Sequence, residues 1–117
     1  MSQQVTIYHN PRCSKSRQTL ALLEARGVSP TIVEYLNVPL DAPLIRELLQ
    51  KLKLDPRGLM RTKEAAYVEN DLSDSDLSEE ELIQAMIDRP KIIERPIVVR
   101  GERAVLGRPP ENIDQLF

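Results

Sequence analysis

The alternation of apolar and polar positions along the chain predicts short strands at the two ends and helices between them. Val5 to Tyr8, VTIY, is β-branched and aromatic and predicts a buried strand. HNPRC follows as a turn, because Asn-Pro favours turn initiation. Ser14 to about Arg26 predicts a helix with Leu20 and Leu23 on one face and Gly27 at its end. TIVEY, Thr31 to Tyr35, predicts a second strand. Strand, helix and strand within about 30 residues predict a right-handed βαβ unit with parallel strands.

The middle of the chain reads as helical. Asp41 is placed to cap a helix with Leu44, Ile45, Leu48, Leu49 and Leu52 along one stripe. Asp55-Pro56 predicts an N-cap followed by proline at the first helical position, opening a helix that carries Leu59, Met60 and Arg61. Ser78 to Glu81 fits a capping box and predicts a helix through about Asp88, burying Leu82, Ile83, Met86 and Ile87. Pro90 ends it. Pro96-Ile-Val-Val predicts a third strand, and Arg100-Gly101-Glu102 a tight turn into Ala104-Val105-Leu106, together a β-hairpin. Arg108-Pro109-Pro110-Glu111 opens a short last helix with Ile113, Leu116 and Phe117 apolar. The order is βαβ, a helical middle, then hairpin and helix, with no repeat and no low-complexity linker.

At 117 residues the chain is expected to form one domain, able to bury roughly 65% of its unfolded surface. A net charge of −2 and 3% aromatic residues argue against a nucleic-acid partner. Residues 64–81 hold eight acids and no base; the glycine and spacing of a calcium loop are missing, so a solvated loop and helix start is expected. No apolar run approaches the ~20 residues of a membrane span, and the first ten residues lack the regions of a signal peptide. One cysteine cannot form an internal disulfide, which suits a reducing compartment, and a cytoplasmic location is expected. One Cys and one His supply too few soft ligands for a metal site.

The single thiol, Cys13, is the chemically telling residue. It stands after a strand at the expected N-terminus of a helix, among His9, Arg12, Ser14, Lys15, Ser16 and Arg17. A thiol attacks only as thiolate, and an unperturbed Cys has a pKa near ~8.5. A helix N-terminus favours the anion by roughly 0.3–1 kcal/mol, rising to ~2 when partly buried. At about 1.4 kcal/mol per unit, that lowers the pKa by about one unit. A further ~1.4 kcal/mol, reaching ~6.5, could come from Arg12, Arg17 or the Ser16 hydroxyl. An inert buried cysteine is the alternative, but the polar setting argues for a reactive, exposed sulfur. Ser16 stands where a redox C-x-x-C motif has its second cysteine, so an adduct on Cys13 needs an outside thiol. A phosphatase-type C-x5-R loop is absent, since Thr19 occupies the arginine position.

Eleven arginines stand against five lysines, a bias that suits planar oxyanions. Arg95 and Arg108 each directly precede a proline at the end of a core element, where a scaffold can aim them. For each one, a surface salt bridge is the plainer alternative.

YHNPRCSKSRQTL, LMRTKE, ERPIVV and GRPPE, in this order and spacing, make the chain resemble the glutathione/glutaredoxin-dependent arsenate reductase (ArsC) family over about Val5 to Leu116. The resemblance implies an α/β thioredoxin-like fold, βαβ plus β-hairpin and helix on a mixed sheet, with a helical insertion at about residues 41–90. Pro96 matches a cis-proline beside the active site. Cys13 matches the nucleophile, and Arg61, Arg95 and Arg108 the three oxyanion-binding arginines. His9 matches the histidine that keeps the thiol ionised, though a neutral scaffold role is equally open to it. Ser16 and Arg17 match the hydroxyl and the cation just beyond the nucleophile. The implied reaction is reduction of arsenate: the Cys13 thiolate attacks arsenic, glutathione adds, glutaredoxin reduces the adduct, and arsenite leaves. Glutathione is a co-substrate, no cofactor is held, and a monomer is expected. Two other readings stay open: a glutathione-linked thiol-disulfide oxidoreductase, and a redox-sensing regulator of the Spx type that binds RNA polymerase. Those regulators typically use C-x-x-C, against which Ser16 counts.

Overall fold

The computed structural model describes residues 4–117. The chain forms two compact units, one made of the described residues up to Val38 together with Arg95–Phe117, the other of Pro39–Glu94.

The first unit is built on a four-stranded sheet. Its strands are β1 (Val5–Tyr8), β2 (Thr31–Val33), β3 (Ile97–Arg100) and β4 (Arg103–Leu106), in the spatial order β2-β1-β3-β4. β1 runs parallel to β2 and antiparallel to β3, and β3 and β4 form the hairpin. The parallel pair requires a long crossover, and α1 (Ser14–Ala25) supplies it. Gly27, at φ +81°, takes the left-handed conformation that ends α1, as its position in the sequence predicts. Ile7 on β1 lies opposite Ile32 on β2 and Val98 on β3. Val5, Ile7 and Val98 meet Leu23 of α1 and Ile113 and Leu116 of a closing 3₁₀ helix, Pro110–Leu116, with Leu20, Val28 and Val105 against them. Phe117 is exposed, with its ring under the Arg26 and Arg100 guanidinium groups.

The second strand is shorter than TIVEY suggests. β1 ends at Tyr8, and the His9 N–H to Val33 carbonyl bond, 2.8 Å, is the last rung available to β2. With no further partner, Glu34 opens a turn instead, its carbonyl accepting from Asn37 and Val38.

The second unit is helical. α2 (Ala42–Leu52) is capped by Asp41, whose carboxylate accepts from the Leu44 N–H at 2.9 Å, and buries Ile45, Leu48 and Leu49. Asp55 caps as expected, but the helix it opens is a single 3₁₀ turn, Pro56–Leu59. Met60 and Arg61 are therefore not helical. Met60 instead bridges to Ile93, flanked by Arg61 N–H to Ile92 and Glu94 N–H to Leu59 bonds, each 2.7 Å. That antiparallel pairing satisfies backbone groups a continuing helix would have used otherwise. The acidic stretch is not wholly loop. It contains α3 (Ala65–Glu69), and Tyr67 and Leu72 are buried beneath the solvated acids. Arg57 ties the stretch down through the Leu72 and Asp74 carbonyls. α4 (Glu79–Asp88) carries the full Ser78/Glu81 capping box and buries Leu82, Ile83 and Met86, with Ile87 half-buried. Among the described residues no helix is long and apolar enough to cross a membrane.

Candidate active site

The segment between β1 and α1 is folded by its own side chains. The Asn10 Oδ1 accepts from the Arg12 N–H at 3.0 Å, and the Asn10 carbonyl from the Cys13 N–H at 3.0 Å. This turn delivers Cys13 to the N-cap of α1 in an extended conformation, φ −94° and ψ 124°. An N-cap side chain normally supplies an oxygen to the first-turn amides. Here Cys13 makes no side-chain capping bond; the Ser16 and Lys15 N–H groups instead favour the anionic sulfur, and the first turn holds no acidic residue that would compete with an anion there.

The sulfur is not exposed, contrary to the expectation from the polar sequence around it; Cys13 is 9% accessible. Burial pushes the thiol up, yet the net direction is down. The Ser16 N–H, the Arg95 charge, the Lys15 N–H and a hydrogen bond from Arg95 together outweigh desolvation and hold the pKa below its ordinary value. The favourable groups are thus backbone amides and a guanidinium from the far end of the chain, not Arg12, Arg17 or the Ser16 hydroxyl. Arg12 is exposed, and Arg17 points its Nη1 at the Pro11 carbonyl, 2.9 Å away, which braces the loop.

Ser16 is fully buried and joins two parts of the loop. Its Oγ accepts from the Asn10 N–H at 3.1 Å and lies 2.6 Å from His9 Nδ1. Burial lowers the His9 pKa below 6.5; the Glu34 carboxylate raises it and the Arg17 charge lowers it further, and the net direction is down. The ring is therefore neutral near pH 7, and the short Nδ1···Oγ hydrogen bond ties it to Ser16, with the donor set by the ring's tautomer. His9 orients Ser16, and Ser16 presents its own amide to the sulfur.

Arg95 is half-buried, and its Nε and Nη1 are buried with no hydrogen-bond partner. Unpaired buried donors cost free energy and are rare in folded proteins. Beside an anionic sulfur they are placed to receive an anionic ligand. The Arg95–Pro96 peptide bond is cis, as the resemblance implies for Pro96, and Arg108–Pro109 is cis as well. Arg108 is exposed at the end of β4. Its neighbour Gly107 bonds back to the Pro96 carbonyl at 2.9 Å, so Arg108 and Arg95 leave one knot of backbone. Arg61 belongs to the other unit, where Nη1 pairs with the Glu64 carboxylate at 2.7 Å.

Two positioning residues were not legible as such from the sequence. The Thr19 hydroxyl bonds the Lys15 carbonyl at 2.8 Å and the Gly107 carbonyl at 3.2 Å, pinning α1 to the strand that carries Arg108. A Cβ on Gly107 would lie 2.6 Å from Thr19 Oγ1 and 2.7 Å from Pro96 Cγ, so only glycine leaves room for this approach. The available signal was a buried polar stripe, Ser16 and Thr19 at helical spacing ahead of Leu23, on a helix whose apolar face is sparse.

The sheet order, the crossover helix and the thiol at its N-terminus define a thioredoxin-like fold with a single cysteine, at the start of that helix. The ArsC family profile matches residues 8–116, and the chain belongs to the ArsC family. It is 58% identical to the Escherichia coli K12 protein YfgD, over 97% of this chain and 96% of that protein. It is 46% identical to the arsenate reductase of Haemophilus influenzae, over 97% of this chain and 98% of that one. The structure of an arsenate reductase from Vibrio cholerae, 47% identical, covers 100% of both chains with a TM-score of 0.97.

Proposed function

We infer that this chain is an arsenate reductase that draws its electrons from glutathione and glutaredoxin. The observation that carries the reading is the pairing of a buried, anion-favouring sulfur with two unpartnered donors of Arg95. The names of the related arsenate reductases agree with it. Arg95 and Arg108, with Arg17, bind the oxyanion and offset its charge. The Cys13 thiolate attacks arsenic, forming an S–As bond as hydroxide leaves and is protonated to water. Arginine donors stabilise the charge that shifts during attack. Glutathione then replaces a second hydroxyl on arsenic, again as water. A glutaredoxin thiolate attacks the glutathione sulfur, the S–As bond pair stays on arsenic, and As(V) becomes As(III). Water displaces Cys13, arsenite leaves, and the thiol is restored. One arsenate and two thiols yield arsenite, one mixed disulfide and water. Ser16 in place of a second cysteine suits this outside supply of electrons, and a reducing cytoplasm keeps Cys13 ready.

The test is an arsenate-reduction assay with purified protein, glutathione and glutaredoxin, beside Cys13→Ser. Serine is a good N-cap, so the variant should keep its circular dichroism while losing at least about 10³-fold in turnover. Turnover retained in Cys13→Ser, or absent from the native protein, defeats the reading. A disulfide reductase needs no oxyanion donors, so Arg95→Ala separates the two enzymes: arsenate turnover falls much further than any reduction of glutathione mixed disulfides, which loses only what the higher Cys13 pKa costs.

A further inference from the structure

A polar cleft of about 350 Å³ lies within the first unit, beside the loop that leads into Cys13. Its walls are the His9–Arg12 segment on one side and Glu34, Leu36 and Asn37, from the turn after β2, on the other. Two opposite charges share it. Glu34 is half-buried, and its carboxylate accepts only from the Asn37 amide, at 3.2 Å; among the described residues no lysine or arginine pairs with it. His9, facing it, is neutral near pH 7 and supplies no counter-charge. Arg12 is exposed and forms no ion pair with a described acid. A carboxylate and a guanidinium that line one cleft yet do not pair are arranged for a ligand that bridges them. Such a ligand carries an ammonium and a carboxylate some distance apart. Leu36 and Pro11 offer the apolar wall for the carbon chain between.

We propose that this cleft binds the peptide part of the thiol co-substrate, its γ-glutamyl ammonium on Glu34 and its glycyl carboxylate on Arg12, with the γ-glutamyl carboxylate turned to solvent. The assignment rests on the reductase reading for the identity of the thiol peptide, not for the chemistry of the cleft. Arg12 immediately precedes Cys13 in the chain, so a peptide held on Arg12 is anchored one Cα step, about 3.8 Å, from the residue that would carry the arsenic.

The test uses S-methylglutathione, which cannot react, titrated into the ¹⁵N-labelled protein and followed by NMR. The amides of Asn10, Arg12, Glu34 and Asn37 should shift, and Glu34→Gln should raise Kd about 5-fold, the scale of one partly exposed charge contact. An N-acetylated S-methylglutathione should bind the native protein about as weakly as the parent probe binds Glu34→Gln, and be indifferent to the substitution. In turnover, Glu34→Gln should raise KM for glutathione and leave KM for arsenate unchanged. Unmoved cleft amides, or both probes binding native and Glu34→Gln protein equally, overturn the assignment. If the probe shifts the cleft but arsenate is not reduced, the reductase reading fails and the cleft assignment stands. If arsenate is reduced while the cleft amides stay still, the reverse holds.

Discussion

Helices α1 and α2 are 12 and 11 residues long and both start from an extended N-cap residue, but they are used differently. α2 sets a carboxylate, Asp41, on its first-turn amides and buries Ile45, Leu48 and Leu49 along one stripe. α1 places a cysteine at the equivalent position with no side-chain capping bond, and two of its three buried residues, Ser16 and Thr19, are polar. An aspartate cap accepts through its carboxylate and serves the helix. A cysteine cap is titratable, and the same amide donors then serve the sulfur. The helix end with the weaker conventional cap is the one that holds the thiol.

The sharpest way to break this contrast is Arg95→Ala. Because Arg95 both binds the oxyanion and faces the sulfur, kcat/KM for arsenate should fall by about 10²–10³; a small change would mean that the α1 amides suffice without it. The same variant should shift the pH profile of Cys13 alkylation by iodoacetamide. In the native protein the thiolate fraction rises with pH through a value below that of a free thiol. Removing the Arg95 charge should move that midpoint upward. The stability sign follows: a thiol held low stabilises the fold fully above the unfolded value near ~8.5, and the contribution is lost as pH falls through the folded value. Stability of the native protein relative to Cys13→Ser, from urea melts across that range, should therefore rise with pH.

A smaller effect is expected at the joint that aims the arginines. Gly107→Ala drives a methyl into Thr19 and Pro96 and should cost about 1–3 kcal/mol in urea denaturation. Because Pro96 follows Arg95 directly, turnover should fall with it. Unchanged stability would show that the approach of α1 to this strand is looser than the distances indicate.

The smallest effect belongs to the conventional cap. Asp41→Ala should cost about 1 kcal/mol of stability and leave the alkylation profile of Cys13 where it was. A shift in that profile would mean that the two caps are not separate devices.

Local chemistry made much of the fold readable. Asp41, Ser78 and Gly27 act through backbone groups within a few residues, and each does what its type and spacing predict. The stripes of α2 and α4 likewise follow from helical period alone. The errors fall where a distant partner intervenes. Glu34 leaves β2 because β1 has ended, and Met60 leaves a helix because Ile93 offers a bridge.

The site divides along the same line. That Cys13 would sit on a helix N-terminus with no second thiol nearby follows from a strand, an Asn-Pro turn and a helical pattern, all within one stretch of chain. That it would be buried, and that Arg95 and not Arg12 or Arg17 would face it, was settled only when β3 came to lie beside β1. Neighbours in sequence are held by bond lengths, so their effects are local and legible. Neighbours across a sheet are chosen by which apolar faces bury together, and no single segment contains that information.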